Sequence, residues 1–165
     1  MIISVQDWVF DLNADATCRY CKHVISDPCE CGYCRNFRQA INGAVPELNA
    51  FLTQIGGRVD APEELMPYEP TIYEASYCIS GKILQYGTSS ILCGTTKIDV
   101  LTAEDTDYET KCEAPYFVLR TGCIELPWVL DEDMDEVVSP ANEPEYLQRM
   151  WDRLLQYASD DTISS

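Results

Sequence analysis

The chain is poor in histidine and in positive charge. His23 is its only histidine, so any Cys-His catalytic dyad must use that residue. Lys and Arg together number 11 against 28 Asp and Glu, a formal charge of −17. A field of that sign repels nucleic-acid phosphates and anionic membranes, which argues against direct DNA or RNA binding. The sequence also lacks any run of about 18 apolar residues, so no membrane-spanning helix is expected. Met1 to Phe10 has neither the basic leader nor the long apolar stretch of a signal peptide, and a cytoplasmic location is the expectation. No G-x-S-x-G or G-x-G-x-x-G occurs, and Gly94-Thr95-Thr96-Lys97 lacks the first glycine of a phosphate loop. Asp131-Glu132-Asp133-Met134-Asp135 opens like a calcium loop, but Glu136 stands where the turn glycine belongs and Asn142 where the bidentate glutamate belongs.

What the chain has in quantity is cysteine and acid. Five of nine cysteines fall within 17 residues, as Cys18-x2-Cys21-x7-Cys29-x-Cys31-x2-Cys34. In a reducing compartment such a cluster is metal-bound, redox-active or simply reduced, rather than a disulfide framework. Two C-x2-C pairs, each spanning a tight turn, can set four thiolates around one tetrahedral ion. The expected ligands of one structural Zn2+ are therefore Cys18, Cys21, Cys31 and Cys34, with Cys29 or His23 as substitutes. Against this stands a set of reduced thiols, some packed as small hydrophobes. The spacing fits neither ferredoxin pattern, which counts against an iron-sulfur cluster.

The acid is unevenly distributed. Residues 1–58 hold five bases and six acids, whereas the remaining 107 hold six bases and 22 acids, a net of −16. Direct nucleic-acid contact would have to use the small basic region beside the cysteines.

Periodicity outlines the elements. Val5, Trp8, Val9 and Phe10 suggest a first strand or a strand and turn, and Asp11 to Ala16 the start of a short helix carrying Cys18 and Cys21. Cys29 to Cys34 reads as a loop, Asn36 to Ile41 as a helix stopping near Gly43, with Cys34 at its start, where the helix terminus lowers a thiol's pKa. Pro46 to Ile55 has apolar residues at 48, 51, 52 and 55 between a proline and Gly56-Gly57, the pattern of a helix with one buried face. Asp60 to Pro70 reads as a polar connector. Ile72 to Tyr86 alternates as a strand and breaks phase at Gly81, predicting a bulge there. Further strands are expected at Ile91 to Cys93, Lys97 to Leu101 and Tyr116 to Leu126, with turns at Gly87 and Gly94. Residues 131–145, with seven acids and two prolines, read as an exposed connector. They lead to a final amphipathic helix with Leu147, Met150, Trp151, Leu154, Leu155 and Ala158 on one face and a frayed tail at 159–165.

Asp27-Pro28-Cys29-Glu30-Cys31-Gly32-Tyr33-Cys34-Arg35-Asn36-Phe37, Pro46-Glu47-Leu48 through Phe51-Leu52 and Gly56, and Glu125-Leu126-Pro127-Trp128-Val129-Leu130 resemble the motifs of a group of uncharacterised bacterial proteins, largely from Gram-positive organisms. The resemblance spans most of the chain and implies no particular activity. It implies that Cys29, Cys31 and Cys34 belong to the shared pattern and that Cys18 and Cys21 depart from it.

These readings predict a single α+β domain over residues 1–158, in which a mostly antiparallel sheet is covered by the N-terminal cysteine-bearing helical segment and the C-terminal amphipathic helix. The leading functional expectation is a small cytoplasmic, non-enzymatic interaction module, with its cysteine segment stapled by zinc and its acidic face turned to a basic protein partner. Two other classes stay open: a thiol-dependent enzyme using Cys34 or Cys31, and an acidic inhibitor of a nucleic-acid-binding protein whose carboxylates stand in for phosphates.

Overall fold

A computed structural model describes residues 1–107, 109–134, 152, 153, 155 and 156. The chain divides into two units, Met1–Val129 and Leu130–Ser165. The first is an α+β structure with an eight-stranded antiparallel sheet and three α-helices. Strands β1 (Ile2–Val5) and β2 (Trp8–Leu12) form a hairpin, followed by α1 (Ala14–Ser26), α2 (Gly32–Ala44) and α3 (Pro46–Gln54). Then come β3 (Glu64–Glu69), the 14-residue β4 (Ile72–Gln85), β5 (Ile91–Cys93), β6 (Thr96–Thr102), β7 (Tyr116–Thr121) and β8 (Ile124–Glu125). The order across the sheet is β1-β2-β4-β7-β6-β5, with β3 and β8 also paired to β4.

β4 organises the unit because every residue from Tyr73 to Gly81 is buried, so both of its faces are covered. Tyr73, Ala75, Tyr77 and Ile79 alternate with Glu74, Ser76, Cys78 and Ser80, as the period of two requires. On the first set, the Tyr73 ring meets Phe37 of α2 at 5.5 Å between centroids. On the second, Cys78 joins Tyr20 and Cys21 of α1 in a buried cluster with Ala61, Cys112 and Val118. Glu74 is buried as well, ion-paired to Arg120 at 3.5 Å and accepting from the Tyr68 hydroxyl at 2.9 Å. The Tyr68 hydrogen bond and the Arg120 guanidinium offset the cost of removing that carboxylate from water.

Helix α1 is fixed to β4 at its first turn. Asn13 caps it by accepting from the Ala16 N–H at 3.1 Å. The Asn13 N–H donates to Ser80 O at 2.9 Å, and the buried Thr17 hydroxyl accepts from the Ser80 N–H at 3.0 Å. Helix α3 begins at Pro46, as expected, and buries Leu48 and Leu52. It ends where the Gly57 N–H bonds Leu52 O at 2.8 Å, with Gly56 at φ 87°.

Three expectations need correction. The connector expected over Asp60 to Pro70 contains β3, whose Glu64, Pro67 and Glu69 conceal a strand that exists through pairing with β4. The bulge expected at Gly81 is not at that residue, which pairs Leu12 in unbroken register within β4. The register slip lies further on, where Val9 pairs Gln85 but Phe10 pairs Ile83, leaving Leu84 as the extra residue. Residues Gly32 to Cys34 are the first turn of α2, not part of a loop.

Asp152, Arg153, Leu155 and Gln156 are helical. The rest of the expected C-terminal helix, the acidic connector beyond residue 134 and the tail 159–165 lie outside the described residues. Among the described residues no helix is long and apolar enough to cross a membrane.

Candidate metal centre

The cysteine cluster divides between two local structures. Cys18 and Cys21 lie inside α1, one exposed and the other buried. Cys21 packs in the cluster with Cys78 and Cys112, and burial raises its thiol pKa. Three residues apart on a helix they are neighbours, but Cys21 is committed to the buried cluster while Cys18 is exposed to solvent. His23 is exposed near the end of α1.

The second pair sits at a helix start. Asp27 ends α1, Pro28 follows it, and the chain reaches Cys31 in extended conformation at φ −65° and ψ 157°. Cys31 is the N-cap of α2, with its Sγ accepting from the Cys34 N–H at 3.5 Å. A sulfur here does what a serine or aspartate oxygen does at other helices, satisfying one of the unpaired N–H groups of the first turn.

Two arginines on α2 draw the preceding loop back over that turn. Arg38 Nη1 donates to Cys29 O at 2.6 Å, and Arg35 Nε donates to Glu30 O at 2.9 Å. Arg38 also pairs with the Glu30 carboxylate at 3.6 Å. As a result the sulfurs of Cys29, Cys31 and Cys34 all lie within 4.8 Å of one another. Among the described residues no other three His, Cys, Asp or Glu donors gather so closely. Of the six candidate ligands, the structure thus joins Cys31 and Cys34 to the substitute Cys29, and neither Cys18, Cys21 nor His23 belongs to the group.

The electrostatics separate the two thiols of the second pair. Cys31 receives a hydrogen bond from the Cys34 side chain, and further ones from the Cys34 N–H, the Cys29 side chain and the Tyr33 N–H. These outweigh partial burial and hold its thiol at about 5. Cys34 moves the opposite way, upward, because its proton is engaged by Cys31, it is partly buried, and a thiolate beside it opposes a second negative charge. The sequence placed the perturbed thiol at the start of this helix and centred it on Cys34. The lowered thiol is instead Cys31, chiefly because the Cys34 side chain donates to it, with the Cys34 N–H of the first turn adding to this.

That difference is measurable by alkylation. At pH 6 a thiol held at about 5 is roughly nine-tenths thiolate, whereas an ordinary thiol near 8.5 is about 0.3 %. The lower basicity costs about 40-fold in intrinsic nucleophilicity at a Brønsted slope near 0.45. Cys31 is therefore expected to react with iodoacetamide roughly sevenfold faster than an ordinary exposed thiol at pH 6, and about 20-fold slower at pH 8.5. Peptide mapping of metal-free protein at the two pH values reads this inversion, and one labelling order at both would refute the assignment.

The site is also held from behind. Asn36, two residues beyond Cys34, is fully buried. Its Nδ2 donates to Tyr73 Oη at 3.2 Å and to Pro127 O at 3.1 Å, and its Oδ1 accepts from the Val129 N–H at 2.8 Å. The Tyr73 hydroxyl in turn donates to Tyr33 O, inside the C-x2-C segment, at 3.2 Å. Sequence reading did not single out Asn36 as a site residue. The available signal was an amide inside an otherwise amphipathic helix, on the same face as Tyr33, Phe37, Ala40 and Ile41.

Comparison with family models, curated proteins and solved structures finds no match to this chain.

Proposed function

We propose that Cys29, Cys31 and Cys34 bind one Zn2+, and that the ion staples the segment between α1 and α2 onto the first turn of α2. The observation that carries this reading is the approach of three sulfurs to within 4.8 Å. Around a tetrahedral zinc with Zn–S near 2.3 Å, sulfurs stand about 3.8 Å apart, so closing the triad needs movements of about 1 Å at most. A thiolate triad suits a borderline-soft d10 ion and supplies three of four positions. The fourth falls to a donor outside the triad. Arg35 and Arg38 place positive charge beside the excess negative charge of such a complex. In this reading the protein is a non-enzymatic, acidic interaction module with a locally stapled segment. Its preference for a basic partner is supported by the charge distribution alone.

Native mass spectrometry after exposure to one equivalent of zinc tests the site. One ion per chain is expected, with affinity reduced at least 100-fold in Cys31→Ser and in Cys34→Ser and little changed in Cys18→Ser. Protein that stays metal-free with its thiols reduced would remove the site. Equal loss in Cys18→Ser would restore the wider four-thiolate set.

A further inference from the structure

We propose that Cys31 and Cys34 also form a dithiol–disulfide pair that exchanges with disulfide substrates. The pair has the geometry for it. N-cap and third helical residue are one turn apart, which sets their Cα atoms about 5 to 6 Å apart, inside the window a disulfide can bridge. Their sulfurs belong to the group within 4.8 Å, and the Cys34 N–H already points at Cys31 Sγ. Both residues are partly exposed, whereas Cys21, Cys78 and Cys112 are buried.

The step balances without a further reactant. The Cys31 thiolate attacks one sulfur of the substrate disulfide, the substrate S–S bond breaks, and its other sulfur leaves as a thiolate. Cys34 then gives up its proton to that leaving thiolate and attacks Cys31 Sγ, displacing the second substrate sulfur, which takes a proton from solvent. Counting the proton that Cys31 released to solvent on becoming the thiolate, the protein loses two electrons and two protons, and the substrate disulfide becomes two thiols. These are the same thiols as in the zinc reading, and the inference rests on that reading only for its consequence: oxidation removes two of three ligands.

The deciding experiment equilibrates the full chain, stripped with a chelator, in anaerobic glutathione buffers of rising oxidised fraction, followed by acid quench and peptide mapping. A Cys31–Cys34 disulfide is expected as the first product, at least tenfold over any other, and Cys34→Ser is expected to stop at a glutathione adduct on Cys31. A persistent adduct on wild-type Cys31, or a first disulfide that includes Cys29 or Cys18, overturns the proposal. The wild-type map decides this even if the variant does not fold. Zinc chloride is then titrated into both forms, with one ion expected on the reduced protein and none on the oxidised. A disulfide that forms at Cys31 and Cys34 in a protein taking no zinc when reduced would sink the metal reading and uphold the exchange pair.

Discussion

Asn36→Ala is expected to lower the stability of the first unit by about 3 to 4 kcal/mol, with a fall of about 1.5 to 3 M in urea midpoint. The side chain is fully buried and makes three hydrogen bonds, to Tyr73 Oη, Pro127 O and the Val129 N–H. Truncation removes one donor group and one acceptor together. Tyr73 keeps its one O–H engaged, shared between Tyr33 O and Pro70 O at 3.2 Å each, so its loss is the mildest. The Val129 N–H and Pro127 O lose the Asn36 amide in two part-buried bonds, a loss of about 1 to 3 kcal/mol together because both residues are otherwise exposed. The lost packing of the amide adds to this. Asn36→Asp separates the two halves of the amide: it keeps an oxygen facing Val129 but brings a carboxylate toward Pro127 O and buries its charge. It is expected to be as damaging as alanine near neutral pH and milder in acid, because protonation removes the charge and restores a donor. A loss below about 1 kcal/mol for Asn36→Ala would mean that water replaces the amide and that the network does not hold α2 to the Pro127–Val129 segment.

Gly81→Ala should cost about 3 kcal/mol, although it adds one methyl group. Gly81 has φ 147°, a conformation L-residues rarely adopt. A Cβ there would press into the Asp11 carbonyl oxygen and lie 3.0 Å from Leu12 Cα. Both neighbours are backbone of β2, so relief requires the strands to separate where Gly81 pairs Leu12. Movement away from β2 is opposed on the other side, where the Gly81 N–H donates to Pro115 O at 2.8 Å. The same substitution at Gly43 provides the comparison. Gly43 lies in α2 with nothing within 4 Å of an added Cβ, so Gly43→Ala is expected to gain about 0.5 to 1 kcal/mol through helix propensity. Thermal unfolding of both variants gives the contrast, and Gly81→Ala unfolding no earlier than the wild type would show that β2 and β4 yield without cost.

Some of this architecture could be read locally. Leu48, Leu52 and Ile55 lie on one helical face between Pro46 and Gly56-Gly57, and all three are at most 1 % exposed in α3 and its cap. Tyr73, Ala75, Tyr77 and Ile79 alternate as a strand must, and they occupy successive positions on one face of β4. β3 had no such signal: a proline and three acidic residues in and around six positions resemble a connector until a partner strand supplies the hydrogen bonds. Gly81 shows the other limit. A glycine inside an alternating run gives equal reason to expect a bulge or a close approach of another backbone, and that second backbone, β2, lies about 70 residues earlier in the chain.

The cysteine site divides in the same way. Sequence alone determined that Cys31 and Cys34 are close enough along the chain to meet across a turn and that a turn at Asp27-Pro28 precedes them, because residue spacing and proline chemistry act over a few bonds, whereas the start of α2 at Gly32 appeared only in the structure. Which third sulfur joins them was decided by tertiary structure. Cys21 had the better spacing, but burying its small apolar side chain against Cys78, Cys112 and Val118 commits that face of α1 to the core. Cys29 joins because Arg35 and Arg38, one and two turns along α2, hold its loop by the carbonyl oxygens of Cys29 and Glu30. Spacing along the chain limits which sulfurs can meet, while core burial and the hydrogen bonds of the loop select which ones do.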